Sequence, residues 1–510
     1  MVHVRVFSAT VIGIDPVLVE VEVIIDNQGF PAFNIVGLAD KSVDESKERV
    51  RAAVKCLGYD FPDRRITVNL APAELHKRGS IFDLPIAIGV LLSSSQIKAE
   101  LDGSMFVGEL SLDGRIKAVS GVLPIVIFAK TKGFKSIFIP GSCSKEASII
   151  SEINIFASDS LKAVCDHLLD IKPIPKLSGE KLEDLLKEEA FFGEDISEVY
   201  GQEKAKRALE ICAAGGHNLS MFGPPGSGKT MLSRSLPSIL PAFTVDECLE
   251  VTKIYSIAGH LLNKEKPILT KRPFRSPHHT TSLPGLIGGG SPPAPGEVTL
   301  AHRGVLFIDE FSEMPRYLIE ALRQPLEDGY ISISRSLGRV VFPSRFVLIA
   351  SFNPCPCGYL GDEKNKCRCT PYEILSYQKK LSGPILDRID MFVDVKASDA
   401  SDITSENKGE KSKKVRERVQ RARDTQSRRF LASNLKISCN AEISPSQIKK
   451  QCPLETSEMN FLKNAMNSFK FSLRTFHRVI KVSRTIADLS DSEKIKTEHI
   501  AEALQYRIKI

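Results

Sequence analysis

An α/β architecture in three parts is predicted for this chain of 510 residues, and three observations predict it. From Val17 to Val23 every second residue is valine, with Glu20 and Glu22 between, the period-2 signature of a half-buried strand. A glycine-rich stretch beginning at Gly223 sits between a short apolar strand and a helix, with two further apolar strand runs downstream. From Val415 onward the pattern is helix-rich without strands. A prior of about 100 to 200 residues per domain also divides this length into three or four units.

The elements follow in order. Lys41 to Leu57 places Val43, Val50, Val54 and Leu57 on one helical face, and Ile66 to Leu70 returns to a strand. Ile81 to Leu92 reads as a buried helix, and Phe106 to Ile116 as two strands turning at Asp113-Gly114, a favoured hairpin dipeptide. A helix at Val122 to Lys130 and strands at Ser136 to Pro140 and Asn154 to Ala157 complete a mixed α/β unit, residues 1–170. A linker with Pro173, Pro175, Ser178 and Gly179 fills 171–190. The core, 191–397, holds a helix at Gln202 to Ala213 and strands at Leu219 to Phe222, Leu300 to Asp309 and Phe346 to Ser351. A basic linker or helix, 398–430, leads to a helical region, 431–510.

Composition narrows the classes. Apolar residues at 42% and charged residues at 26% exclude wholesale disorder. No apolar run approaches the roughly 18 residues of a membrane-spanning helix, and the alternating amino terminus with Arg5 and Asp15 is no secretory signal. A cytoplasmic protein without a membrane partner is expected, and in that reducing compartment eleven cysteines argue for a metal cluster over disulfides. The net charge of +7 is concentrated: Lys408 to Phe430 carries ten Lys or Arg against three acids. That stretch is either a solvated charged helix or a nucleic-acid contact surface.

Gly223, Pro224, Pro225, Gly226, Ser227, Gly228, Lys229 and Thr230 fit G-x-x-x-x-G-K-[ST] in full, after a strand and before a helix. Glycines let backbone amides curl around phosphates, the helix N-terminus adds partial positive charge, Lys229 reaches the β- and γ-phosphates, and the Thr230 hydroxyl ligates magnesium. About 80 residues later, Val305 to Ile308 delivers Asp309 and Glu310 at the carboxyl end of a buried strand. Asp309 is expected to hold the magnesium and Glu310 to polarise the attacking water, so the expected cofactors are ATP and Mg2+.

Cys355, Cys357, Cys367 and Cys369 place four cysteines within fifteen residues. Two C-x-C pairs with Pro356, Gly358 and Gly361 between them suit a structural zinc, the alternative being four unmetallated thiols in a surface loop. The position just after Asn353 suggests a brace for that loop. The stretch between the phosphate-loop helix and Asp309 is too long for a simple crossover and includes the segment Gly288 to Gly296. Tyr330 to Phe346 reads as two alternating strands turning near Leu337-Gly338, with Arg335 and Arg339 beside the tip as candidate DNA phosphate contacts.

The segments GQEKAKRALE, GGHNLSMFGPPGSGKT, RSPHHTTSLPGLIGGGSPPAPGE, AHRGVLFIDE, LRQPLEDG, SGPILDRID and SLRTFHRVIKVSRTIADL resemble AAA+ ATPases, and more narrowly the magnesium-chelatase-like family of ComM and YifB proteins. The resemblance covers almost the whole chain and implies an AAA+ P-loop core with a helical lid. It implies Asn353 as first sensor, Arg388 as the finger reaching a neighbour's γ-phosphate, and Arg474 as second sensor on the lid. Read locally, Arg388 has the alternative of an ion pair with Asp387 or Asp390. A finger supplied in trans requires a ring, so a homo-hexamer is expected. The family places the Gly288 to Gly296 loop in the ring's pore.

The first 170 residues resemble the Lon/S5-like proteolytic domain, which uses a Ser-Lys dyad. Aligning Lys77-Arg78-Gly79 with that family's K-D-G puts Ile81 at the nucleophile position, and aligning Leu112 to Arg115 with its hairpin puts Leu123 at the lysine position. Neither performs that chemistry. Ser80 and Lys77 remain as a shifted pair or as loop residues, and a scaffold or partner-binding module is expected. By analogy with ComM-like proteins, the function expected is an ATP-driven motor on single-stranded or branched DNA, with branch migration as the activity the analogy implies; the alternative is a chaperone-like ATPase on a protein or metal-insertion complex.

Overall fold

The computed structural model describes residues 2–26, 30–38, 40–77, 79–179, 182–187, 194–261, 268–290, 293–335, 338–362, 365–380, 383–396, 409–469 and 471–507. The chain forms two compact units. The first comprises residues 1–188 together with 244–270 and 332–342; the second comprises 189–243, 271–331 and 343–510.

The first unit is built on a seven-stranded mixed sheet in the order Ala32–Val36, Arg65–Ala71, Asp15–Asp26, Val2–Ile12, Ser104–Phe106, Ser136–Pro140, Asn154–Ser158. Val2–Ile12 and Asp15–Asp26 form a long antiparallel hairpin, closed at Gly13 with φ +67°, a conformation glycine adopts without strain. The alternating valines do what their period requires: Val19, Val21 and Val23 are fully buried. Asp83–Ser93 packs across this hairpin, so closely that a Cβ at Gly89 would stand 2.5 Å from Val23 Cγ2.

Three expectations shift here. The strands around Asp113-Gly114 are the short pair Glu109–Leu110 and Ile116–Lys117, while Phe106 ends a separate strand of the large sheet. The chain from 171 is still part of this unit: the Leu177 N–H donates to the Ile155 carbonyl at 3.0 Å, and Ile174 and Leu177 pack on its core. Two later segments, expected within 191–397, also fold here. Helix Val245–Ile257 lies along Val122–Thr131, with the Gly121 N–H donating to the Ser256 carbonyl at 3.1 Å. The strand Gly338–Pro343 brings Val340 so near the first hairpin turn that a Cβ at Gly13 would meet it at 2.4 Å.

The second unit holds a five-stranded parallel sheet in the order Phe274–Arg275, Val305–Ile308, Val347–Phe352, Leu219–Phe222, Met391–Asp394. The strand expected over Leu300 to Asp309 is confined to Val305–Ile308, because Glu297–Leu300 is a helical turn and Arg303 takes φ +57°. Helices Glu203–Gly215, Lys229–Ile239, Ser412–Ala432 and Leu473–Leu489 pack with the sheet into one core that includes Leu219, Val305, Val419, Phe430, Val479 and Ile486.

The basic stretch is therefore mostly a packed helix rather than a linker. Val415, Val419, Ala422, Gln426 and Phe430 are buried at helical spacing. Arg418 pairs with Glu210 at 2.6 Å and Glu410 at 2.7 Å, Arg423 donates to the carbonyls of Ser438 and Ala213, and Arg429 pairs with Asp488 at 2.8 Å. Residues 398–408 of that expected segment lie outside the described residues.

Candidate nucleotide site

The phosphate loop leaves the carboxyl end of Leu219–Phe222 and enters helix Lys229–Ile239. Gly226 and Gly228 have φ +76° and +88°, the left-handed region that side chains resist, and a Cβ at Gly223 would stand 2.1 Å from the Val395 carbonyl oxygen. The loop is thus a bare backbone cradle ahead of a helix N-terminus, the geometry that receives phosphate.

Lys229, nearly buried, donates its Nζ to the carbonyls of Gly223 and Pro224 at 2.8 Å each and stands 3.4 Å from Asn353 Oδ1. Burial lowers its pKa, against the attraction of Asp309. The Thr230 hydroxyl donates to Asp309 Oδ2 at 3.0 Å, the Ser351 hydroxyl to the other carboxylate oxygen, and the Glu310 N–H to Oδ1 at 3.0 Å. Thr230 and Asp309 offer the hard oxygens that magnesium prefers, beside the phosphate cradle, so the residues fit that ion. Glu310 projects outward at φ +50°, with His279 Nδ1 3.6 Å from its carboxylate. Ser351 and His279 were not read from sequence; Ser351 lies in the strand Val347–Phe352 beside the Asp309 strand, and only the sheet order brings them together.

Arg388 and Arg474 form a second constellation. Arg388 is buried, donates to the Pro384 carbonyl at 2.6 Å, and pairs with Glu327. Arg474, second residue of helix Leu473–Leu489, donates to the other oxygen of the same Glu327 at 2.6 Å. The local ion pair considered for Arg388 is thus replaced: its partner is Glu327, while Asp390 pairs with Arg478. Arg478 also donates to the Arg388 carbonyl at 2.9 Å, and Asn218 Nδ2 to the same oxygen at 3.2 Å. Burial opposes the charge of Asp390, but Arg478, His217 and the Asn218 N–H outweigh it and hold the carboxyl well below the usual range.

The four cysteines converge. Their sulfurs all lie within 4.8 Å of one another, with Cys355–Cys357 at 3.4 Å, Cys357–Cys367 at 3.6 Å and Cys355–Cys367 at 3.7 Å. A tetrahedron with zinc–sulfur bonds of about 2.3 Å has edges of about 3.8 Å, so this spacing suits a metal. The thiols are split: backbone hydrogen bonds from Arg368 and Tyr359 hold Cys357 down to about 6, while, against backbone hydrogen bonds, burial and the neighbouring sulfurs push Cys367 and Cys369 up.

In the first unit, Ile81 and Leu123 are both buried core side chains. Ser80 donates to Glu109, whereas Lys77 is fully buried and donates to the Pro72 carbonyl, so the shifted pair is not brought together. On the hairpin, exposed Arg339 donates to Ser332 at 2.6 Å; the side chain of Arg335 and residues 336–337 lie outside the described residues. The Gly288 to Gly296 loop is pinched by reciprocal hydrogen bonds between Gly289 and Ala294 at 3.1 and 2.8 Å, with 291–292 outside the described residues. Among the described residues no helix is long and apolar enough to cross a membrane.

Three family profiles match the chain: magnesium chelatase, subunit ChlI, over residues 195–403; subunit ChlI of Mg-chelatase over 19–142; and the ChlI C-terminal region over 409–507. Competence protein ComM of Haemophilus influenzae is 41% identical, covering 99% of this chain and 97% of its own length. Protein YifB of Escherichia coli is 39% identical, over 99% and 96%. The magnesium-chelatase 38 kDa subunit of Rhodobacter capsulatus is 27% identical over 31% of this chain and 50% of its own length.

Proposed function

The chain belongs to the magnesium-chelatase-like AAA+ ATPases of the ComM and YifB type, and from that premise we propose that it forms a hexameric ring that spends ATP on moving or remodelling DNA, branched recombination intermediates above all. Its domains are a scaffold or partner-binding Lon-like unit, a P-loop core and a helical lid. Its setting is the cytoplasm.

Within the site, Lys229 and the loop amides hold the β- and γ-phosphates, and Thr230 and Asp309 hold magnesium. Glu310, tied to Asp309 through its N–H alone and with its exposed carboxylate beside His279, polarises the attacking water, and Asn353 beside Lys229 senses the γ-phosphate. The observation that carries the ring is the pairing of Arg388 and Arg474 on one carboxylate, Glu327. Among the described residues Arg388 makes no bond to its own phosphate loop, as suits a finger for a neighbour's γ-phosphate, and Glu327 ties it to Arg474, the second sensor on the lid helix. The four cysteines carry a structural zinc, which fits their number, spacing and chemistry.

What supports DNA as substrate is similarity to competence protein ComM across nearly the whole chain, together with Arg335 and Arg339 at the hairpin. The test is ATP hydrolysis with and without single-stranded, duplex and four-way-junction DNA at graded salt. Stimulation, greatest with the junction, is expected. Replacing Arg335 and Arg339 by alanine should keep basal hydrolysis, abolish stimulation, and lower the log–log salt slope of binding by about two. Neutralising Lys413, Lys414 and Arg416 in parallel tests the rival surface. If no DNA binds or stimulates at low salt, the DNA reading is refuted and a protein-remodelling ATPase takes its place.

A further inference from the structure

Resting on the zinc reading of the four cysteines, we infer that metal bound there controls the nucleotide site, by clamping the segment after Asn353 against the phosphate loop. Asn353 stands 3.4 Å from Lys229 Nζ, and two residues later comes Cys355, with no exposed surface. The chain then runs through Cys357 to Gly358, whose φ of +83° turns its backbone onto Pro225 of the phosphate loop. The approach leaves no room for a side chain: a Cβ at Gly358 would stand 2.6 Å from Pro225 Cδ and 2.8 Å from Cγ. One short segment therefore touches the phosphate loop twice, at Lys229 through Asn353 and at Pro225 through Gly358, and between and after those contacts lie the four sulfurs.

Residues from Cys355 to Cys369 contain no helix or strand among those described, and only Cys355 of the four cysteines is buried. Such a segment has little apolar burial to offset the entropy of ordering it. Short-range turn bonds, Gly358 N–H to the Cys355 carbonyl at 2.9 Å and Asp362 N–H to the Tyr359 carbonyl at 3.2 Å, shape its first half, and the two cysteine pairs meet where the Cys357 N–H donates to Cys369 Sγ at 3.4 Å and the sulfurs of Cys355 and Cys357 face that of Cys367. A metal joining the pairs closes the segment and supplies the ordering free energy that the loop lacks. With the pairs unjoined, Gly358 and Asn353 lose their fixed positions, and the cradle at Gly223 to Gly228 loses its outer wall at Pro225. Metal occupancy thus sets nucleotide affinity, although the metal touches no phosphate.

The experiment uses the full chain and reads nucleotide binding alone, so DNA activity does not enter. Zinc is measured by elemental analysis, and the Kd of a fluorescent ATP analogue is measured as purified, after removal with a nitrogen-donor chelator that leaves magnesium in place, and after zinc is restored. Expected are about one zinc per chain, a Kd weakened at least roughly tenfold on removal, and recovery on restoration. Far-UV circular dichroism checks that the units stay folded. Gly358→Val keeps all four sulfurs but breaks the contact with Pro225; it should retain zinc and show the same weakened Kd. Zinc present with a Kd indifferent to its removal, or Gly358→Val binding nucleotide as the parent does, overturns the coupling and leaves the zinc reading standing. Absence of metal after chelator-free preparation overturns both.

Discussion

Replacing Asp390 by asparagine tests the reasoning about the second unit at one of its buried charges. Asp390 is 6% exposed and accepts hydrogen bonds from the Asn218 N–H at 2.8 Å and from Arg478, with His217 Nδ1 3.7 Å away. Removing one charge of a buried pair leaves the other uncompensated and costs about 3–5 kcal/mol. Arg478 keeps 19% side-chain exposure and asparagine can still accept from Asn218, so the low end, about 3 kcal/mol at pH 7, is expected. The chain has no tryptophan, so urea unfolding is followed by far-UV circular dichroism. The sign of the pH effect is set by a carboxyl whose folded pKa is depressed. Its contribution is complete above the ordinary aspartate value near 3.9 and is lost as pH falls below that toward the folded value. The gap between parent and variant should therefore be constant from about pH 5 to 7 and shrink below about pH 4. Hydrolysis should fall too, because Arg478 and Asn218 hold the Arg388 carbonyl. A loss under about 1 kcal/mol at pH 7, or a gap that does not close in acid, would refute the account of Asp390 as a paired buried anion.

Lys229→Ala should abolish or severely weaken ATP binding, whereas Glu310→Gln should bind ATP and fail to hydrolyse it; equilibrium binding beside turnover separates the two, and wild-type turnover by Glu310→Gln would remove its assigned role. Arg388→Ala should bind ATP without hydrolysing it and regain partial turnover when mixed with Lys229→Ala subunits, while confirmed co-assembly without rescue would count against a finger acting in trans. No peptide hydrolysis should appear with ATP present, since Ile81 and Leu123 are core residues and Ser80 is bonded to Glu109; peptidase activity abolished by Ser80→Ala would contradict the scaffold reading.

What was legible in the sequence follows from the range of the forces involved. The alternating valines of Asp15–Asp26 and the apolar run Val305–Ile308 announce themselves because burial on one or both faces dictates local composition. The phosphate loop is legible because its glycines answer a local backbone demand. Met391–Asp394 was missed although it flanks the phosphate-loop strand; four residues emerging from the polar run Leu386-Asp-Arg-Ile-Asp390 carry too little period to read. The partner of Arg388 was equally hidden, since Glu327 lies 61 positions away and ion pairing leaves no sequence period. In Ser412–Ala432 the dense charge drew attention from the buried stripe Val415, Val419, Ala422, Gln426 and Phe430 beneath it.

The chain passes between its two units at residues 188–189, 243–244, 270–271, 331–332 and 342–343. This routing bears on how the protein is made. A ribosome that has released residues 1–170 has not yet delivered the helix that lies on Val122–Thr131, nor the Val340 side chain that fills the space at Gly13. The amino-terminal unit must wait, with those faces uncovered, until most of the phosphate-loop core has been synthesised, which raises the sequence separation of its contacts and slows its completion. A fragment cut at 170 should therefore be prone to aggregation. One nick in the 171–190 stretch should not free a folded amino-terminal unit, since the remaining crossings keep its pieces on both sides of the cut.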